Sequence, residues 1–295
     1  MKNEKMTVVS SSNDGFAEHV SALFVSILEN TEQPISMIDF YVIDDKISIG
    51  NKRLMRETLK EYGEKLHFLT IDKNYFSDAV ESDRIPETAY YRIAIPELFK
   101  DKNVEKILYL DCDMIALADI SELWEIDLGA YTLAAVEDAG FHNRLEKMDI
   151  ACGSTTYFNS GFMLINVEKW LSQNVTKRVL RFIHDNPEKL KFHDQDALNA
   201  ILHDQWLQLH PKWNAQSYIM KREVEHPYPE GEKEYFQARR DPKIIHYSGH
   251  VKPWDPEFTS SLKKYYEEYE DLTAFEDAIE TETTPTKRPP TRKLG

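Results

Sequence analysis

The residues best placed to do chemistry stand in the run Lys106-Ile-Leu-Tyr-Leu-Asp-Cys-Asp-Met-Ile-Ala116, where a buried-type apolar strand runs into Asp111-Cys112-Asp113. On an extended backbone, residues two apart share a face, roughly 7 Å apart along the strand. Two carboxylates held that way repel, so either a pKa rises or a cation sits between them. Hard oxygen ligands favour Mg²⁺, Mn²⁺ or Ca²⁺ over Zn²⁺. The plainer alternative, a solvated turn with two aspartates, is disfavoured by the hydrophobic strand ahead of the pair. A second group lies far downstream in His246-Tyr-Ser-Gly-His-Val-Lys-Pro-Trp254. His246 ends a predicted strand and offers an imidazole ligand. Gly249 permits close backbone approach to a phosphate. Lys252 can place an ammonium on a diphosphate, and Pro253 stiffens the turn.

The elements that must position these groups alternate between apolar runs and amphipathic stretches, which is the α/β signature. Strands are predicted at residues 6–10, 36–43, 65–71, 104–110, 131–136, 161–165, 206–209 and 243–247. Helices are predicted at 17–28, 49–62 with Gly63 as C-cap, 88–98 despite Pro96, 167–173, 175–185 and 195–203. Ligands in such folds bind at the C-terminal edge of the sheet, where Asp111 falls. Residues 262–279 are acidic with spaced aromatics and read as a helix packed on the outside. Residues 281–295 contain five Thr, three Pro and four basic residues and read as a disordered tail. The division expected is a catalytic domain over 1–255, a helical extension over 256–280 and the tail over 281–295. There is no internal repeat, no G-x-G-x-x-G and no P-loop.

Composition narrows the function classes. The 295 residues carry 36 Lys+Arg against 51 Asp+Glu, a formal net charge of −15, which argues against a nucleic-acid partner. An anionic ligand would therefore need its cations concentrated locally, and a divalent ion with Lys252 supplies them. Two cysteines, Cys112 and Cys152, cannot build a disulfide framework, and a reducing compartment fits. No signal-peptide run and no membrane-length apolar window is present, so the protein is expected to be soluble and cytoplasmic. The basic residues of the tail could touch an anionic membrane face, but a solvated charged end is the simpler reading.

Two chemistries use a D-x-D at a strand end: divalent-metal binding of a nucleotide-sugar diphosphate, and aspartyl-phosphate formation in haloacid-dehalogenase-type phosphatases. The phosphatase pattern expects Thr or Val two residues after the second Asp, where Ile115 stands, and usually lies near the N-terminus. A non-catalytic nucleotide-sugar or cation-binding protein would share the pocket without an acceptor site.

Six separated motifs between about residues 7 and 254 resemble a retaining glycosyltransferase of family 8. They are Ser11-Ser-Asn-Asp-Gly-Phe-Ala17, Thr88-Ala-Tyr-Tyr-Arg-Ile-Ala-Ile-Pro-Glu-Leu98, Tyr109-Leu-Asp-Cys-Asp113, Tyr157-Phe-Asn-Ser-Gly161, His193-Asp-Gln-Asp196 and the stretch from His246 to Trp254. The resemblance implies a GT-A-type, Rossmann-like fold with a mixed, mainly parallel sheet. It implies transfer of glucose or galactose from a UDP-sugar to a carbohydrate or glycoprotein acceptor, with retention at the anomeric carbon. Asp111, Asp113 and His246 would hold Mn²⁺ (or Mg²⁺), and Gly249 and Lys252 would contact the diphosphate. Arg92 would sit near sugar and phosphate, Asn159 and Asp194 would hold sugar hydroxyls, and Gln195 would lie beneath the anomeric carbon. At the base-binding loop the family reads Asp-Asp-Asn-Tyr-Ala, whereas here Asn13 and Gly15 replace the base-contacting Asp and the Asn. Asn13 can still hydrogen-bond a uracil edge.

Taken alone, several of these residues have structural explanations. Arg92 fits a solvated helix face, Asn159 a turn, and Asp194 the N-cap of the helix through Leu202. Trp254 reads as packing. The Cys112 side chain points away from the two aspartates and reads as core, with its backbone within reach of a nucleotide.

Overall fold

Alternation along the first strand divides the core. In β1 (Met6–Asn13), Val8 packs to one side of the sheet and Val9 to the other. The same alternation in β4 (Lys106–Leu110) sends Leu108 and Leu110 to the first side and Ile107 and Tyr109 to the second. Strands buried on both faces read as continuous apolar runs, and that made β4 conspicuous in the sequence. A computed structural model describes residues 5–32, 37–71, 87–151, 153 and 156–275.

The main sheet has seven strands in the order β3-β2-β1-β4-β7-β6-β8. Its remaining members are β2 (Ile38–Asp45), β3 (Leu66–Leu69), β6 (Leu133–Glu137), β7 (Phe158–Asn166) and β8 (Trp206–Gln208). All its pairings are parallel except those of β7 with β4 and β6. Helices α1 (Ala17–Asn30) and α2 (Ile49–Lys60) cover one face. On the other lie α3 (Glu87–Ala94), then α6 (Val167–Ser172), α7 (Val175–Asp185) and α8 (His193–Leu202). Short helices α4 (Ser121–Trp124) and α5 (Arg144–Lys147) lie in the connections on either side of β6.

A three-stranded sheet, β5-β10-β9, branches from the end of β4. It comprises β5 (Met114–Ala116), β9 (Ala215–Gln216) and β10 (Ile244–His246). Between β9 and β10 run α9 (Ser217–Met220) and α10 (Pro229–Arg240), and α11 (Lys263–Glu270) follows. Tyr266 and Tyr269 of α11 share a core with Ala22 and Val25 of α1 and with Ile245.

The structure corrects several sequence expectations. Helix 88–98 stops at Ala94 and continues as a 3-10 turn over Ile95–Phe99, because Pro96 cannot donate to the α ladder. The strand placed at 161–165 starts at Phe158, because the polar Asn159 and Ser160 are buried and hydrogen-bonded within it. The helix placed at 195–203 begins at His193, so Phe192 takes the cap position and Asp194 lies inside the first turn. Helix α10 was not foreseen, since only Tyr235 and Ala238 of it are buried and the apolar stripe is thin. The outer helix breaks after Glu270, and its expected end at 279 lies outside the described residues. Cys152, residue 36, residues 276–279 and the tail over 281–295 lie outside the described residues. Among the described residues, no helix is long and apolar enough to cross a membrane.

Candidate active site

Asp111 and Asp113 do not sit on an extended strand: β4 ends at Leu110, and the pair occupies the turn before β5. Two backbone bonds fix that turn. Asp111 N–H donates to the Gly161 carbonyl at 2.8 Å, and Tyr247 N–H donates to the Asp113 carbonyl at 2.9 Å. Because β5 pairs antiparallel with β10, His246 stands directly opposite Met114, one residue past Asp113. The fold thereby brings one ligand atom from each of Asp111, Asp113 and His246 within 4.8 Å of the others. Gly161 makes the space for them. A Cβ there would lie 2.6 Å from Asp111 Oδ2 and 2.8 Å from His246 Cε1, closer than real contacts allow.

A chain of buried amides orients the imidazole. His246 Nδ1–H donates to Asn214 Oδ1 at 2.9 Å, and Asn214 Nδ2 donates to Asn159 Oδ1 at 3.0 Å. Asn159 Nδ2 then donates to Asp138 Oδ2 at 3.0 Å, where Gln195 Nε2 also donates at 2.9 Å. Gln195 Oε1 accepts from Ser160 N–H at 3.0 Å. With Nδ1–H committed, Nε2 of His246 is the nitrogen that would offer its lone pair to a bound cation, and it otherwise stands in charge contact with Asp113 Oδ1 at 3.3 Å. Asn159 spends its amide on this chain, since its Oδ1 also accepts from Gly161 N–H at 3.2 Å.

Two cations offset the carboxylates. Arg92 reaches Asp111 Oδ1 at 3.1 Å and Ser160 Oγ at 2.9 Å, and its guanidinium lies over the Tyr109 ring at 5.2 Å. Its Nε is 2.8 Å from Asp194 Oδ2, a charge contact without hydrogen-bond alignment, so that oxygen keeps an unused acceptor lone pair in a buried setting. Burial pushes the Asp194 carboxyl up despite Arg92. It does the same to the Tyr109 hydroxyl, which donates to Asp111 Oδ1 at 2.7 Å. Burial would raise Asp113 too, but His246 and then Lys252 hold it well below the usual carboxylate range.

Arg92, Asp111, Asp113 and Lys252 line a cleft of about 270 Å³ together with Ser11, Ser12, Asn13, Phe16 and Trp254. Asn13 Oδ1 accepts from Gly15 N–H at 3.0 Å, closing the turn after β1. Trp254 is more than packing: it walls the cleft and stacks on His19 at 3.6 Å, and burial lowers that histidine to about 4. Cys112 packs against the core and also borders the cleft, and burial pushes its thiol well up, which leaves it unreactive. At Gly249 a Cβ would meet only Ser217 at ordinary distance, so no protein atom requires glycine there. Asp196 is fully buried and held by Arg144, by Tyr157 Oη at 2.8 Å and by two backbone N–H groups.

Two carboxylates and one correctly oriented imidazole suit a hard-to-borderline divalent cation, Mn²⁺ or Mg²⁺. The sequence reading missed Asp138, Asn214, Ser160, Tyr109 and the steric part played by Gly161. Asp138 alone carried a signal, an acidic residue just past an apolar strand, like Asp111.

The model of "Glycosyl transferase family 8" matches residues 7–257. General stress protein A of Bacillus subtilis is 45% identical over 270 residues, covering 91% of this chain and 93% of the relative. A lipopolysaccharide 1,2-glucosyltransferase of Escherichia coli is 29% identical over 235 residues, covering 78% and 67%. The crystal structure of galactosyltransferase LgtC with donor and acceptor sugar analogs superposes with a TM-score of 0.76 at 24% identity, covering 91% of this chain and 96% of that one. That likeness assigns the GT-A fold.

Proposed function

Because the chain belongs to glycosyl transferase family 8, we propose that it transfers a hexose, glucose or galactose, from a UDP-sugar to an acceptor hydroxyl. Transfer proceeds with retention at the anomeric carbon and requires Mn²⁺ (or Mg²⁺). The acceptor is a carbohydrate or a glycoprotein. The observation that carries this reading is the convergence of Asp111, Asp113 and His246 at the end of a cleft that also holds Lys252 and Arg92. The E. coli relative described as a glucosyltransferase supports a hexose donor. Residues 1–255 form the catalytic domain in this account, residues 256–280 a helical extension, and residues 281–295 a tail. Its cytoplasmic placement belongs to the same proposal.

Asp111, Asp113 and His246 would hold a divalent cation, whose charge would neutralise the diphosphate and favour its departure. Lys252 Nζ, beside both Asp113 and the cleft, adds a second positive charge to the leaving group and is preorganised there by the Tyr247 carbonyl at 2.8 Å. Arg92 balances Asp111 and Asp194, leaving the unused lone pair of Asp194 Oδ2 for a sugar hydroxyl. Asn13 meets the uracil edge, while the Cys112 backbone and Gly249 approach the nucleotide. Gln195, clamped at both ends of its amide, presents a rigid surface under the anomeric carbon.

No strong nucleophile serves the opposite face of the sugar. Asp196 is consumed by Arg144 and Tyr157, Asp194 is held in charge contact with Arg92 and assigned to a sugar hydroxyl, and a carboxamide such as Gln195 attacks poorly. The bond from the anomeric carbon to the diphosphate oxygen therefore breaks as the acceptor oxygen bonds on the same face. The acceptor proton passes to the departing phosphate. A panel of nucleotide sugars scored for free UDP with Mn²⁺, followed by the anomeric configuration of the product, tests the proposal. Release of UDP with a retained linkage is expected; an inverted product, or a hexose covalently held on Asp194 or Asp196 during turnover, would overturn the mechanism.

A further inference from the structure

One residue before Asp138, a second group of ligands converges. Glu137, the last residue of β6, is buried and carries an imidazole on each carboxylate oxygen. His142 Nδ1 lies 2.7 Å from Oε1, and His226 Nε2 lies 3.1 Å from Oε2. The two rings meet edge to face at 4.8 Å, and one ligand atom from each of the three residues falls within 4.8 Å of the others.

The surroundings are built as a metal site requires. A ligating histidine donates its other ring N–H to an oxygen. His226 Nδ1 lies 3.1 Å from the Tyr228 carbonyl and 3.0 Å from the Tyr228 N–H. A cation at Nε2 therefore requires the tautomer that donates to the carbonyl and gives up the bond from that N–H. His142 Nε2 lies 3.4 Å from Tyr235 Oη. Gly231 keeps its side-chain position empty, and a Cβ there would collide with the His226 ring. Four carboxylates, Glu137, Asp138, Glu232 and Glu234, act on Tyr235, so negative charge gathers around the two imidazoles. Arg239 is paired with Glu232 at 2.8 Å.

We propose that Glu137, His142 and His226 bind a divalent cation of the Zn²⁺ class, separate from the ion of the cleft. Two imidazoles and one carboxylate select a borderline cation, whereas the carboxylate-rich cleft selects Mn²⁺ or Mg²⁺. His142 is the outermost ligand, its side chain 20% exposed, so the remaining coordination position opens to solvent there. The ion ties the segment leading into α10 to the end of β6, and so steadies Asp138, which receives Asn159 and Gln195.

The test uses untagged full-length protein carrying Asp113→Asn, which silences the cleft, stripped with chelator and titrated with Zn²⁺ and Co²⁺. One equivalent should bind, with ligand-field bands of low-coordinate cobalt and a rise in the thermal midpoint. Adding His142→Ala should weaken binding at least about 100-fold and remove both signals. In parallel, a titration of otherwise unsubstituted protein should lose one equivalent on His142→Ala, so the result does not depend on Asp113→Asn folding. Failure of the Asp113→Asn protein to bind, or binding untouched by His142→Ala, would show that the histidines only hydrogen-bond Glu137.

Discussion

The ammonium of Lys252 lies 2.5 Å from Asp113 Oδ2, across 139 residues of sequence. The contact joins the two motifs first singled out in the sequence. It sets Lys252 beside the cleft, where under the proposed function it would serve a carboxylate and a bound diphosphate alike. Lys252→Ala should weaken UDP and UDP-sugar by the same factor, about 10- to 100-fold, because a charge-assisted bond to phosphate is worth about 1.5–3 kcal/mol. Calorimetric titration of both ligands with Mn²⁺ checks this. Loss confined to the sugar's share of affinity would contradict the assignment.

Gly161→Ala should damage the site more than the fold. The added methyl must displace Asp111 or His246, while the strand backbone accommodates alanine. Activity should fall about 100-fold, the scale of an ångström-sized misplacement. The thermal midpoint should move little. Comparing kcat/KM with a melting curve separates the two effects.

Asn214→Ala removes the acceptor that fixes the His246 tautomer. The affinity for Mn²⁺ should drop about 10- to 100-fold, as for other outer residues that orient a ligand. Manganese titration in the presence of UDP reads it directly; an unchanged midpoint would separate Asn214 from the metal.

Arg144→Ala addresses stability rather than chemistry. Its guanidinium makes two bonds, at 2.9 and 2.7 Å, to the fully buried Asp196. Removing it strands a buried charge and should cost about 3–5 kcal/mol in denaturant unfolding. Burial raises the Asp196 carboxyl, but Arg144, the Phe192 and Lys191 amides and Tyr157 together outweigh it and hold the group below its ordinary value. A depressed carboxyl stabilises the fold above its unfolded pKa, about 3.9, and that contribution fades as pH falls through the folded value. The wild type should therefore lose stability on acidification below about pH 4, and Arg144→Ala should lose less.

The α/β organisation and the principal strand were legible because strands covered on both faces are apolar throughout. Asp111, Asp113, His246 and Lys252 were legible because charged groups at the end of such a strand, or close after one, have few structural reasons to be there. Asn214 and Ser160 were not. Asn214 sits between Trp213 and Ala215 and Ser160 between Asn159 and Gly161, and only the pairing of β9 with β10 and of β4 with β7 shows what they face. Asp194 was partly hidden by its fitness as a helix cap, until the helix proved to begin two residues earlier, at His193. Helix α10 escaped because two buried side chains in twelve residues leave no periodic signal.

The central claim is that Asp111, Asp113 and His246 hold a divalent cation that captures the diphosphate. Titrating UDP into the wild type with Mn²⁺ and then with EDTA, beside Asp113→Asn under both conditions, tests it most directly. Tight binding only for the wild type with Mn²⁺, and weak, metal-indifferent binding for Asp113→Asn, is the predicted result. Equal UDP affinity for the wild type in Mn²⁺ and in EDTA would contradict it.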